Sequence, residues 1–164
     1  MLAKNLLSAE MKQLLQKAIE SELYASNMYK HLANQLQRLG YFGGQKYFLN
    51  EAEQELKHYQ ILVDFINDRG DIADMPKIDA INDRVSNLGG ALDISYEIEL
   101  DLGKQYKEFY DKAEEKDCTI GQFLLQFIEI QRKSIGEVGD LLATYKIASE
   151  SKELLFFDKQ LGKV

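Results

Sequence analysis

Apolar and small side chains recur at intervals of three and four residues along four long stretches of the chain. This is the period of an α-helix that buries one face. In the first stretch the buried stripe includes Leu15, Ala18, Ile19 and Ala25. The chain has only one proline in 164 residues, so helix-breaking residues are nearly absent. The sequence therefore predicts an all-α fold, with residues 1–164 forming one domain.

Residues that cap or end helices separate the four stretches. Ser8, Asn87 and Asp117 are N-cap residue types, and they precede the first, third and fourth stretches. Gly40 and Gly70 follow the ends of the first two stretches. The first and third connections are short, which predicts that the helices they join are antiparallel neighbours.

The connection between the second and third stretches is long. Residues 71–86 lack helical periodicity and contain the sole proline, Pro76. When extended, this segment spans about 50 Å at about 3.3 Å per residue. A helix of about thirty residues is roughly 40–45 Å long. The segment can therefore cross the whole bundle, and we expect a four-helix bundle with one long crossover and a short fifth helix at about residues 151–161.

Each of the four predicted helices has a polar residue near the middle of its apolar face. These residues are Glu22, Glu55, Glu99 and Gln131, and His58 follows Glu55 by one turn. The predicted topology puts all of them at one level of the bundle. An ionised carboxylate in a dry core costs several kcal/mol unless its charge is compensated, and no lysine or arginine lies on these faces. Three carboxylates and an imidazole therefore indicate a cation, with iron, manganese or zinc more suitable than calcium.

Taken singly, each of these residues also has a purely structural explanation. A glutamate on a helix is usually solvated, and a Glu-x-x-His pair occurs on many surface helices. His58 and Gln131 could be hydrogen-bonded core side chains, and so could Tyr29, which lies on the same side of its helix as Glu22. Four mid-helix interruptions in an order compatible with a bundle favour the metal centre.

Three segments carry a resemblance to a known family. They are the motif from Glu22 to Tyr29, the motif from Glu51 to His58, and the ending from Leu155 to Leu161. These segments resemble the ferritins, and the ending resembles that of bacterial non-haem ferritins. The resemblance covers essentially the whole chain. It implies a ferritin-like bundle that oxidises Fe(II) with dioxygen or hydrogen peroxide and stores ferric mineral inside a homo-oligomeric shell, as twenty-four identical subunits.

The resemblance also implies a complete di-iron ferroxidase centre. It assigns five residues as metal ligands and a tyrosine as their support: Glu22, Glu55, His58, Glu99, Gln131 and Tyr29. Glu55 would bridge the two irons. Many bacterial non-haem ferritins have a glutamate one turn after the glutamine, whereas this chain has Ser134, as in the centre of animal heavy chains. We therefore expect the second iron site to have fewer strong ligands than the first.

Composition and single positions exclude several other classes. The net charge of −7 argues against nucleic acid as a partner. The chain has no run of transmembrane length and no signal-peptide pattern at its start, so we expect no membrane partner and a cytoplasmic location. One cysteine, Cys118, excludes a rubredoxin-like set as in rubrerythrin. Leu56 stands where a haem-binding bacterioferritin has methionine, so we expect no haem.

A miniferritin would lack the terminal helix and place its ligands differently, so the sequence disfavours that class. Two interpretations besides an active ferroxidase stay open. A storage-only subunit would have an inactive centre, and a helical interaction protein would bind no metal. Iron binding and oxygen consumption separate the last two from an active enzyme. We further expect a large assembly, because the fifth helix would have no partner on an isolated bundle.

Overall fold

The computed structural model describes residues 4–164, and every regular element in that range is an α-helix. Four long helices form the bundle, which confirms the predicted all-α fold with one long crossover and a short fifth helix. None of the helices in this range is long and apolar enough to cross a membrane. The five helices are α1 (Ala9–Leu39), α2 (Phe42–Asp68), α3 (Leu88–Ala113), α4 (Cys118–Glu150) and α5 (Leu154–Leu161).

The ends of three long helices are capped locally, as the sequence predicts. The side-chain oxygens of Ser8, Asn87 and Asp117 accept hydrogen bonds from backbone N–H groups two or three residues ahead. Gly40 ends α1 with a φ of 87°, a conformation that residues with a Cβ rarely adopt. These local signals therefore set the boundaries of α1, α3 and α4.

The segment from 69 to 87 connects α2 to α3 by running along α1. Near its start, the Asp71 carboxylate lies 2.9 Å from the Lys12 ammonium. Near its end, the backbone N–H of Val85 donates to the Gln35 side chain over 3.0 Å. Lys12 and Gln35 are about 35 Å apart along α1 at about 1.5 Å per residue. The crossover therefore travels most of the bundle's length, as predicted.

The start of α2 is capped from the far end of the chain. α2 begins at Phe42, so Gly43 and Gly44 lie in its first turn. Their backbone N–H groups donate to the two carboxylate oxygens of Asp158 in α5, over 3.0 and 2.8 Å. A Cβ on Gly43 would lie 1.7 Å from the carbonyl oxygen of Asp158, so only glycine fits there. A negative charge at a helix N-terminus also stabilises the helix dipole.

The two faces of α5 have different surroundings. Phe157 and Leu161 are buried against the bundle, and the Phe157 ring makes an edge contact with Tyr145 at 5.8 Å. The expectation that α5 has no partner on its own bundle is therefore wrong. The opposite face leaves Leu155 and Phe156 exposed at 77% and 62%.

We predict that Asp158→Ala lowers the free energy of unfolding by about 1–2 kcal/mol, because two N–H groups of α2 lose their acceptor. Glu153→Ala is the matched control, since Glu153 precedes α5 without capping any N–H group. Thermal and denaturant unfolding of both variants measure the difference. Equal stability of the two variants would show that the Asp158 cap contributes nothing.

Candidate metal centre

Each long helix contributes one buried polar residue to the middle of the bundle. Glu22 on α1, Glu55 on α2, Glu99 on α3 and Gln131 on α4 are all at most 3% exposed. Antiparallel packing of the paired helices and the long crossover bring the middles of all four helices to one level. The predicted interruptions of the apolar stripes are therefore interior residues and do not belong to solvated faces.

Three of these side chains form a tight group of possible ligands. One ligand atom from each of Glu22, Glu55 and His58 lies within 4.8 Å of the other two. The His58 Nδ1 atom is 2.9 Å from Oε2 of Glu55 and 3.6 Å from Oε2 of Glu22. Two carboxylate oxygens and an imidazole nitrogen in this arrangement could hold one divalent cation.

Several buried polar atoms at the centre have no hydrogen-bond partner among the described residues. They are Oε2 of Glu22, Oε2 of Glu99, and the amide nitrogen and oxygen of the Gln131 side chain. A buried oxygen that accepts nothing costs free energy, and native structures rarely keep one without a use. Carboxylate and amide oxygens next to an imidazole suit iron, manganese or zinc, so the donor set fits the ion that the sequence predicts.

Two buried tyrosines each donate a hydrogen bond to one of these carboxylates. The hydroxyl of Tyr29 on α1 donates to Oε1 of Glu99, and it also lies 3.5 Å from the Ser95 hydroxyl. The hydroxyl of Tyr106 on α3 donates to Oε1 of Glu22. In both carboxylates the other oxygen is the one without a partner.

Burial and mutual repulsion perturb the protonation of the centre. Burial raises the pKa of Glu55 well above its usual range, although the hydrogen bond from His58 opposes that shift. Burial also raises the pKa of Glu99 to about 7, against the hydrogen bond from Tyr29. Burial lowers the pKa of His58, but Glu22 and Glu55 outweigh it and raise the value to about 10. The carboxylates of Glu22 and Glu55 therefore favour a proton on the His58 ring, which partly compensates their charge.

The predicted residues divide into two sets. Glu22, Glu55 and His58 form the tight group, and Tyr29 supports Glu99. Glu99 lies outside that group, although the charges of Glu51 and Glu22 both contribute to its raised pKa. Gln131 lies in the same buried layer without a hydrogen-bond partner among residues 4–164.

Sequence analysis missed two residues near the centre. Tyr106 belongs to the buried face of α3 and looks like a core aromatic, but it lies two turns after Glu99 on the same face. Glu51 lies one turn before Glu55, and burial together with the charge of Glu137 raises its pKa to about 7. The sequence did contain a signal for both residues. Tyr106 and Glu51 lie at helical spacing from Glu99 and Glu55, and therefore on the same helix faces as these two predicted ligands.

Comparison with known proteins agrees with this geometry. The family profile described as ferritin-like domain matches residues 12–148. A probable bacterial non-heme ferritin-like protein of Haemophilus influenzae is 27% identical, covering 97% of this chain and 98% of the relative. A bacterial non-heme ferritin of Staphylococcus aureus is also 27% identical, covering 99% of this chain and 96% of the relative.

Solved structures support the fold. A novel open pore ferritin from the hyperthermophilic archaeon Archaeoglobus fulgidus superposes with a TM-score of 0.91 at 24% identity. That match covers 95% of this chain and 98% of the other. A structure described as a humanized archaeal ferritin gives a TM-score of 0.90 at 25% identity, covering 95% of this chain and 97% of the other.

We predict that binding of Zn(II) releases protons at pH 7 and tightens as the pH rises. His58 must lose the proton that its raised pKa, about 10, keeps on the ring at neutral pH. Affinity then rises about tenfold per pH unit for each proton displaced, up to that pKa. Calorimetry in two buffers of different ionisation enthalpy measures the number of protons released.

His58→Gln removes the titrating ring and should reduce proton release by about one. His31→Gln is the matched control, because His31 bonds the backbone of Asp83 in the crossover and lies outside the centre. Equal proton release in wild type and His58→Gln would contradict the assignment of the imidazolium.

Proposed function

The chain belongs to the ferritin family of iron-storage proteins, and on that premise we propose that it is an active ferroxidase. In this proposal residues 1–164 form one ferritin-like domain with a di-iron centre inside each subunit. Fe(II) is oxidised there to Fe(III), and the product accumulates as a ferric mineral inside an oligomeric shell. The cytoplasmic location expected from the sequence stays a prediction.

The observation that carries the proposal is the group of ligand atoms from Glu22, Glu55 and His58, within 4.8 Å of one another in the interior. Each of Glu22 and Glu99 has one carboxylate oxygen occupied by a tyrosine and one without a partner. Oxygens that are fixed in place but unpaired are suited to a cation that arrives and leaves. In purely structural arrangements, most buried carboxylate oxygens have hydrogen-bond partners.

We assign the residues as follows. Glu22, Glu55 and His58 bind the first Fe(II), and Glu55 extends to the second, where Glu99 is the other carboxylate ligand. Gln131 has an amide without a partner and would hold the water or dioxygen between the two irons. With Ser134 in place of a further carboxylate, water completes the second site.

The ligands favour oxidation because hard carboxylate oxygens stabilise Fe(III) more than Fe(II). Two Fe(II) ions lose one electron each, and dioxygen takes two electrons and two protons to give hydrogen peroxide. A carboxylate shared by the two sites, Glu55 in this proposal, would keep the two ions at the short separation that a joint two-electron step needs. We propose no haem, since the Leu56 side chain offers no lone pair to iron.

Assembly into a shell is supported by the exposed face of α5. Leu155 and Phe156 project from a helix that the Asp158 cap fixes to its own bundle, and Ile147 near the end of α4 is 67% exposed. Apolar side chains this exposed are common at contacts between subunits. We propose that they meet other copies of this chain in a shell of twenty-four subunits.

We predict that Glu55→Ala reduces the initial rate of Fe(II) oxidation by at least about 100-fold, because both iron sites lose their shared ligand. Glu53→Ala is the matched control, since Glu53 lies on the exposed side of the same helix. Stopped-flow absorbance and oxygen consumption measure the rate. Fast oxidation by Glu55→Ala, equal to that of Glu53→Ala, would refute the ferroxidase proposal.

We predict that the native particle has a mass of about 450 kDa, the mass of twenty-four chains of 18.8 kDa. The double variant Leu155→Asp, Phe156→Asp should give smaller particles, because charged groups would be buried at the contacts. Lys159→Asp on the polar part of α5 serves as control. Sedimentation or light scattering of a stable wild-type monomer would rule out the shell.

A further inference from the structure

Tyr106 on α3 is a buried polar residue that is not among the proposed metal ligands. Its side chain is fully buried, and its hydroxyl donates to Oε1 of Glu22 on the neighbouring helix α1. The other oxygen of Glu22, Oε2, has no hydrogen-bond partner and lies 3.6 Å from Nδ1 of His58. The tyrosine therefore occupies one oxygen of the carboxylate and leaves free the oxygen on the side of the imidazole.

Aromatic packing holds the Tyr106 ring in place. It stacks on Phe127 of α4 with the ring centres 4.7 Å apart and the planes 12° from parallel. The Phe109 ring meets it edge-on at 6.1 Å. Phe127 also contacts the His58 ring edge-on at 6.2 Å. Because the same phenylalanine packs against both rings, the positions of the Tyr106 hydroxyl and the His58 imidazole are fixed relative to each other.

Glu99, the carboxylate that α3 contributes to the centre, has the same arrangement as Glu22. Tyr29 donates to Oε1 of Glu99, and Oε2 of Glu99 is without a partner. If a tyrosine hydroxyl had no role beyond packing in the core, any hydrogen-bond acceptor would satisfy it, for example a backbone carbonyl. Two tyrosines from different helices instead bond one oxygen each of the two carboxylates.

We propose that Tyr106 is a positioning residue that makes Glu22 a one-oxygen ligand to metal. While its hydroxyl holds Oε1, Glu22 binds through Oε2, and two-oxygen chelation is disfavoured because it would weaken or reorient the bond from Tyr106. One coordination position at the first site then stays open for water or the oxidant. This inference rests on the proposed function, because it takes Glu22 to be a metal ligand.

The test uses Co(II) as a probe, since the intensity of its visible bands falls as its coordination number rises. Tyr106→Phe keeps the ring and its stacking but removes the hydroxyl, so Oε1 of Glu22 is released. Tyr110→Phe is the matched control, because it removes a hydroxyl one turn further along α3, away from the three ligands. We expect the bands of Tyr106→Phe to weaken by at least about twofold, and those of Tyr110→Phe to match wild type.

A Tyr106→Phe spectrum identical to wild type would overturn the positioning role, whatever the variant's stability. A merely structural tyrosine would lower the unfolding temperature and leave the bands unchanged. Absence of Co(II) binding in wild type would be a different failure, since it would refute the metal centre itself.

A second measurement does not depend on the variant. In a crystal structure of wild type loaded with Co(II), Glu22 should bind through Oε2 only, with the bond from Tyr106 to Oε1 retained. Two-oxygen binding by Glu22 with that bond broken would overturn the proposal.

Discussion

The bundle depends on how it compensates three carboxylates buried at its centre. Glu22, Glu55 and Glu99 are almost inaccessible, and no lysine or arginine is buried among residues 4–164. The compensation comes from one imidazolium and from hydroxyl donors. His58 bonds Glu55, and the two tyrosines bond the remaining carboxylates. These donors satisfy only part of the charge, because an oxygen on each of Glu22 and Glu99 has no partner. These oxygens without a partner make the interior a candidate site for a cation.

The ends of the bundle contain the interactions that fix the helices around this centre. The crossover lies along α1, from the Lys12–Asp71 contact near one end to the Gln35–Val85 contact near the other. At one end, Asp158 joins α5 to the start of α2. These contacts fix the positions of the helices along the bundle axis. The middle of each helix can therefore contain a polar residue that contributes little to packing. A sliding of one helix by a single turn, about 5.4 Å, would separate Glu22 from His58.

Much of this architecture could be predicted from the sequence because its signals are local. Helical period, the caps at Ser8, Asn87 and Asp117, and polar residues on apolar faces all follow from neighbours within a few positions. The cap on α2 could not be predicted in this way, since Asp158 lies more than a hundred residues from the glycines it bonds. Tyr106 was missed for a related reason: an aromatic residue on a buried stripe fits the helical pattern equally well with or without a bonded hydroxyl. Only its distance from Glu22 across two helices distinguishes the two cases.

The protonation of the centre links these features to function. Glu22 and Glu55 raise the pKa of His58 to about 10, so the protonated ring supplies positive charge beside these carboxylates. An incoming ion must therefore displace a proton that the protein binds tightly, which weakens apparent affinity at neutral pH. The same carboxylates that would bind a metal ion thus also hold the proton that competes with it.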